Sequence, residues 1–518
     1  MAMNDLSDII RVIIPLLVLS VVYTRWARSK ARLPPGPTPL PLLGNVHQIP
    51  WEYQHKSFAD WGKKYGPVVF ARIFNMPIVI LSSIQTIEDL LDKRGAIYSD
   101  RPIGSMYNDM VEFTANTAFL PYNDQWRRHR KWLQAAIATP KAIESLCPLQ
   151  QRESLRLLVD LVNSPEEFML HIKRYPAALM MEIAYGRHVS SMSEDKLVGL
   201  TDQALEELVK LGGFGSTVVD FIPLLRHIPV WFPGAAFKRR ALKIRDMIHT
   251  SMNTPYNKVR EEMLAGSARP SYLRMLLETY PRDKTPSREE EADMKGSATS
   301  MYGAGAETTT STLQSFLLAM ILHPKVFQKA QAEIDRVIES SRLPDFEDRD
   351  SLPYLECVLK EVYRWNTPVP LSIPHRLMED DVYNGFHIPK GSTIIPNVWA
   401  IAMDPDMYLD PELFWPERFE GMDEEEADLK DPRRVVFGSG RRICPGRQLG
   451  ERSIWLAVAR ITATFDIKKA RDASGVEITP EASFPPGSVS HPKPFVCDIR
   501  PRSEKAAMLV DQLNKKLS

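Results

Sequence analysis

Residues 437–446 read FGSGRRICPG, a glycine-bent loop that holds Cys444 just ahead of the helix-period stretch QLGERSIWLAVARITATF. A cysteine placed this way suits a thiolate metal ligand. The N-terminus of the following helix, with Arg441, Arg442 and Arg447 nearby, favours the deprotonated sulfur. Gly440 and Gly446 let backbone N–H groups approach that sulfur and permit turns that a Cβ would obstruct. Phe437 can shield its flank, where burial and hydrogen bonding tune a bound metal. A buried core cysteine is the competing reading of any single Cys, so the decision rests on the rest of the chain.

Upstream, MYGAGAETTTSTL (301–313) lies inside a helical stretch beginning near Arg288, yet it puts Gly303, Gly305 and several threonines in mid-helix. Each glycine costs about 1 kcal/mol there relative to alanine, so a compensating reason is expected. Ala304 and Thr308 share one face, with Glu307 alongside, and Thr308 can bond back to the Ala304 carbonyl, opening a polar notch. KEVYRW sets Glu361 and Arg364 three apart on one helical face, a spacing that by itself usually means a surface ion pair. WPERF follows with Arg418. QWRRHRKW places Trp126 and Arg130 on a single face of a basic amphipathic helix.

Taken together and in this order, these strings resemble the signatures of the cytochrome P-450 monooxygenases, from the proline-rich segment at Leu33 to about Pro494. Within that family the chain is similar to fungal microsomal members of polyketide, terpenoid and alkaloid pathways. The resemblance implies a mainly α fold with small β-sheets, with haem b between the Thr308 helix and the Cys444 helix. Cys444 becomes the axial iron ligand shielded by Phe437. Ala304 and Gly305 lie at the cofactor, and Thr308 with Glu307 relays protons during oxygen activation. Trp126, Arg130, Arg442 and His375 hold the haem propionates, Arg being suited to a carboxylate by its planar fork. Glu361, Arg364 and Arg418 form a structural triad.

No phosphate-binding glycine loop or nicotinamide fingerprint occurs, so electrons are expected from another protein; the resemblance implies NADPH through a separate flavoprotein reductase, with cytochrome b5 as a further donor. A basic face of Arg127, Arg128, Lys131, Arg433, Arg434, Arg441 and Arg447 is expected to steer that partner. A haem-thiolate isomerase or dehydratase would not need the Glu307–Thr308 pair, and a haem sensor would not need a notched helix. A haem-free scaffold is the remaining alternative.

The bounds agree. The chain has 518 residues, is 44% hydrophobic and 25% charged, and carries 65 basic and 65 acidic side chains, so nothing points to a nucleic-acid surface or a disordered chain. Four cysteines without a CxxC pair argue against a zinc site or a disulfide framework. From Ile9 to Tyr23 the chain is nearly all apolar and is followed by Arg25, Arg28, Lys30 and Arg32. Such a run spans about 22 Å against a hydrocarbon core of about 30 Å, with Arg11 and Trp26 able to extend it. Asp5 and Asp8 stand where a cleaved leader would be basic. The expectation is an anchor and basic flank at 1–32, a proline-rich hinge at 33–45 and a catalytic domain at 46–518. The cations after the apolar run would leave that domain on the cytosolic face of the endoplasmic reticulum membrane. PVVFARIF and PIVILSS predict a hairpin around Asn75-Met76, a second β region surrounds Asn384-Gly385, and EGMDEEEADLKD reads as a solvated loop. The pocket segments, including Ser105 to Leu120, GGFGSTVVDF, Val369 to Ile373 and FPPGSVS, are mostly apolar and imply a hydrophobic small-molecule substrate.

Overall fold

Capping residues and proline positions set most of the helix boundaries. The computed structural model describes residues 32–189, 196–211, 217–280, 286–338 and 342–517. The expected anchor therefore lies outside the described residues except for Arg32, as does part of GGFGSTVVDF. The helices that build the site are α1 (Asp124–Ile137), α2 (Pro140–Asn163), α3 (Phe168–Tyr185), α4 (Lys196–Lys210), α5 (Ala236–Leu264), α6 (Arg288–Leu322), α7 (Pro324–Val337), α8 (Pro353–Trp365) and α9 (Arg447–Thr464). Asn123 caps α1 by accepting from Trp126 N at 3.0 Å, and Pro140, Pro324 and Pro353 open α2, α7 and α8, where no intrahelical N–H is lost. At the start of α6, Ser287 and Glu290 form a reciprocal capping box, and three glutamates in the first turn complement the helix dipole.

Helix α6 is the axis of the molecule. From Thr309 to Ile321 every residue is buried, so this half cannot be amphipathic and is enclosed by neighbours on all sides. Three of its hydroxyls bond back within the helix, Thr310 to Ala306 O at 2.8 Å, Thr312 to Thr308 O at 2.9 Å and Ser315 to Ser311 O at 2.8 Å. The glycines have a packing reason. A Cβ on Gly303 would stand 2.8 Å from Leu205 of α4, and one on Gly305 would stand 2.4 Å from the Met180 sulfur of α3. Gly305 thus turns its side-chain direction to α3, where it makes room for Met180.

The expected hairpin is present as β1 (Val68–Ile73) and β2 (Met76–Leu81), but the turn is Phe74-Asn75, with Ile73 paired to Met76 and Phe74 at φ +51°. With β3 (His375–Arg376), β4 (Asp381–Tyr383), β5 (Phe386–Ile388) and β6 (Thr393–Pro396), it makes a four-stranded sheet in the order β1-β2-β6-β3 and a two-stranded ribbon of β4 and β5. Asn384 and Gly385 both take positive φ in that ribbon's turn. A third sheet pairs β7 (Phe465–Lys469) with β8 (Cys497–Pro501). The acidic run expected as a loop instead forms a short helix at Glu424–Leu429. Asp423 caps Glu426 N at 2.8 Å, and three glutamates fill its first turn.

The proline-rich segment is tied to the body. Pro35 O accepts from Phe70 N at 3.0 Å, and a Cβ on Gly36 would meet the Phe70 oxygen at 1.9 Å. Asn45 is fully buried and links Pro37 O (3.0 Å) to Arg72 N (2.8 Å). Among the described residues no helix is long and apolar enough to cross a membrane.

Candidate active site

Two glycines in the left-handed region shape the cysteine loop. Gly438 and Gly440 have φ of +74° and +57°, and a Cβ on Gly440 would stand 2.0 Å from the Leu91 carbonyl oxygen. Cys444 N donates to Phe437 O at 2.8 Å and closes the turn. Phe437 packs edge-on against Tyr363 at 5.7 Å, with the Arg447 guanidinium 5.9 Å from its centroid. The surroundings do not make the sulfur acidic, as the sequence had led us to expect. Burial pushes the Cys444 thiol up, and the Gly446 N–H, Arg130 and Arg447 oppose that without overcoming it. A cation bound at the sulfur is the group that would hold a thiolate here. A hollow of about 380 Å³ opens beside it, lined by Arg130, Gln134, Ile443, Cys444, Arg447 and Glu451.

A group of cations gathers next to this loop. Arg442 lies over Trp126, 4.4 Å from the ring centroid, and Arg130, one turn along α1, donates to Ile443 O. Arg442 spends Nε on Ser99 O (2.7 Å) and Nη2 on Leu120 O (2.8 Å), while its buried Nη1 has no partner. Arg101, from the SDRP string, had no role assigned from sequence, yet it joins the group. It is 5% exposed and donates to Ala118 O (2.9 Å) and to Ile373 O and Pro374 O (2.5 and 2.8 Å). Neither Arg101 nor Arg442 has a carboxylate within ion-pair distance among the described residues; Asp100 is engaged by Arg376 and by Tyr122 N. Burial and mutual repulsion pull the Arg101 guanidinium far down. Burial, aided by Arg130, brings Arg442 down to about 10. Asp100 offsets part of this for both arginines, but with burial dominant and no ion pair formed, two buried like charges remain unfavourable in the protein alone.

His375 is buried against the same group and directs Nδ1 at Tyr98 O at 2.7 Å. Burial, Arg101 and Arg442 hold its pKa well below the usual value. As a neutral ring donating from Nδ1, it presents an acceptor at Nε2 where the sequence reading expected a donor. The charges that lower it were not visible in the sequence.

The second group lies on α6. Thr308 Oγ1 donates to Ala304 O at 2.8 Å, as the spacing predicted. Ala304 is exposed while Met301, Tyr302 and Ala306 around it are buried, so one face of the central helix borders open space at this point. Glu307 is held in its charged form despite burial, chiefly by a hydrogen bond from His491 at 3.1 Å, with further help from Lys173. His491 was not picked out from the sequence, because it lies 184 positions away on an irregular loop.

Away from these groups, Glu361 forms the expected triad. Its carboxylate takes Arg364 Nε and Nη2, both at 2.7 Å, and Arg418 Nε at 3.1 Å, with all three side chains buried. The basic face is weaker than expected. Arg127 pairs with Asp124, Arg128 with Asp293, Arg433 with Asp431 and Glu356, Arg434 with Glu88 and Asp428, and Arg447 with Glu451. Lys131 and Arg441 pair with no carboxylate among the described residues.

Comparison with known proteins agrees with this geometry. The cytochrome P-450 family model matches residues 34–498. Cytochrome P-450 monooxygenase 136 of Postia placenta is 47% identical over 496 residues, covering 96% of this chain and 94% of that protein. Cytochrome P-450 monooxygenase claR of Ampulloclitocybe clavipes is 38% identical over 478 residues, covering 92% of this chain and 88% of that one. Tryptamine 4-monooxygenase of Psilocybe cyanescens is 35% identical over 500 residues, with 95% and 98% covered. With the family model spanning nearly the whole chain and these relatives covered almost end to end, the chain belongs to the cytochrome P-450 family as an oxygen-incorporating monooxygenase.

Proposed function

We propose that Cys444 holds haem iron and that Arg101, Arg442, Arg130 and Trp126 hold the two haem propionates, in an enzyme that oxidises a hydrophobic small molecule of fungal secondary metabolism. The observation that carries this reading is the pair of buried guanidiniums, with the orphaned Nη1 of Arg442, which have no carboxylate within ion-pair distance among the described residues and only the Asp100 charge, already engaged by Arg376, to offset them. A dianionic group fits that need in charge and in hydrogen-bonding capacity. A propionate set against His375 Nε2 would raise that ring and restore the second donor.

When bound, haem supplies the redox chemistry that activates dioxygen with electrons from NADPH, delivered by a separate reductase. The chain's own residues do the rest. Cys444 donates from the sulfur, with Phe437 and the Gly446 N–H controlling access and electron density there. Thr308 and Glu307 hold and pass protons from α6 toward the space bordered by Ala304. Buried Met110, Phe113, Leu120 and Met301 come from the pocket-lining segments and favour an apolar substrate over water.

The reading places the body on a membrane, catalytic domain toward the cytosol, with residues 1–32 as anchor. In support, Leu42 (78% exposed), Leu224 (78%) and Trp231 (79%) stand out from segments joined by the Phe74–Phe221 contact at 5.2 Å. Side chains of this kind are suited to a lipid surface.

The test is spectroscopic and chemical. The reduced carbon-monoxide complex of the wild type should show the red-shifted thiolate band and Cys444→Ser should lose it; retention by the variant would overturn the assignment. Feeding candidate metabolites to the reductase-reconstituted enzyme should yield a product heavier by one oxygen atom, with NADPH consumed. An isomerase would consume none.

A further inference from the structure

The carboxylate of Glu307 is held by a residue far off in sequence. His491 directs Nε2 to Glu307 Oε2 at 3.1 Å and Nδ1 to Gln314 Oε1 at 3.2 Å. Glu307 and Gln314 are two turns apart on the same face of α6, and the imidazole bridges them. The loop carrying it is fixed by its neighbour. Ser490 N donates to Pro368 O (2.9 Å), Ser490 O accepts from Ser311 Oγ (2.5 Å) and Asn366 Nδ2 (2.9 Å), and Ser490 Oγ donates to Asn366 Oδ1 (2.6 Å). The imidazole is therefore delivered to the carboxylate by a fully bonded backbone, and it remains 31% exposed.

We propose that His491 is the positioning and relay residue through which solvent protons reach Glu307. This rests on the reading of Glu307 and Thr308 as the proton-handling pair. Both groups facing the ring are acceptors, a carboxylate and an amide oxygen, which suits an imidazolium donating from both nitrogens. In the transfer the Nε2–H bond breaks and an O–H bond forms on Glu307, so that opposite charges become two neutral groups. The ring stays tethered through Nδ1–H to Gln314 and keeps its aim in both states. Solvent then returns a proton to the exposed ring. The other charged or titratable groups near Glu307 are Lys173 of α3, Asp202 of α4 and Tyr302 of α6. Lys173, which also favours the charged form of Glu307, pairs with Asp202 at 3.2 Å, and Tyr302 donates to Asp202 at 2.6 Å; none of the three hydrogen-bonds to Glu307.

The test uses the holoenzyme with its reductase, NADPH and dioxygen and no added substrate, counting superoxide, which needs no proton, against hydrogen peroxide, which needs two. His491→Gln should raise the superoxide share about threefold or more, and remove its rise with pH. His491→Arg is decisive, because arginine keeps a positive partner for Glu307 but does not give up a proton. A relay makes this variant behave like His491→Gln; a merely structural ion pair makes it behave like the wild type and overturns the proposal. A readout independent of turnover is ring-hydrogen exchange at His491 in the ferric enzyme, followed by mass spectrometry. Glu307→Gln should change that exchange rate, and an unchanged rate would sink the coupling. If Glu307→Gln leaves the superoxide share unchanged, the underlying proton-pair reading fails. If it changes the share while both His491 variants match the wild type, only the relay fails.

Discussion

Replacing Glu361 with glutamine tests the arginine triad at nearly constant volume. The carboxylate accepts from four donors: Arg364 Nε and Nη2 at 2.7 Å, Trp415 N at 2.7 Å, and Arg418 Nε, shared between both oxygens at 3.1 and 3.3 Å. A glutamine oxygen placed at Oε1 keeps Trp415 N and Arg364 Nη2. Its amide nitrogen then faces Arg364 Nε and Arg418 Nε, donor against donor. Unmet charged donors cost about 1–3 kcal/mol each, and breaking a buried pair from one side costs about 3–5 kcal/mol. These describe the same loss, so the expected cost is about 4 kcal/mol, a large part of a stability of roughly 5–15 kcal/mol. The two arginines also hold the carbonyls of Ala402, Asp410, Pro411 and Leu413. Amide exchange across 402–418 should therefore quicken by about a thousandfold, and the denaturant midpoint should fall. Glu426→Gln, which removes a 2.7 Å pair with Lys430 on the exposed short helix, is the control and should cost at most about 0.5 kcal/mol. If the two variants shift midpoint and exchange equally, the triad is not the clamp described.

Asp293 gives a pH signature. Although burial opposes it, the His129 ring 3.3 Å away and hydrogen bonds from Arg128 and Gln125 bring its carboxyl down to about 2 from 3.8. With the folded pKa depressed, the stabilisation is complete above the unfolded value near 3.8 and lost as pH falls through about 2. Asp293→Asn should thus cost on the order of 2 kcal/mol at neutral pH, with the deficit shrinking below about pH 4, read from denaturation midpoints across that range. Gly440→Ala puts a Cβ 2.0 Å from the Leu91 oxygen at a φ of +57°, and should displace the cysteine loop and weaken haem retention in a gel-filtration assay. Unchanged retention would refute the role given to that contact.

The site was legible in the sequence wherever a short string fixes its own backbone. FGSGRRICPG carries its glycines, turn and sulfur together, and Ala304 lies one turn from Thr308, so the glycine-bent turn and the Thr308–Ala304 bond are both found in the structure. Trp126 and Arg130 likewise follow from helix period alone. What could not be read is what the tertiary fold brings in from a distance. Arg101 is ordinary in SDRP until Ile373, Pro374 and Arg442 close around it. His491 means nothing until Ser490 is pinned to α6. The burial that pushes the Cys444 thiol up, against the pull of Arg130 and Arg447, is likewise something only the fold reveals. The basic face fails similarly: the acids that neutralise Arg433 and Arg434 come from as far away as Glu88 and Glu356.

The two buried arginines bear on how the chain matures. Under the proposed reading, a polypeptide that closes around Arg101 and Arg442 before the propionates arrive has only Asp100 to offset their burial, so its last folding step is coupled to cofactor capture. Porphyrins lacking free carboxylates would bring the right shape and no charge, and should leave the chain open to proteolysis. Under that reading the cations would act as an inspection point, tying closure of this region to capture of an acidic porphyrin.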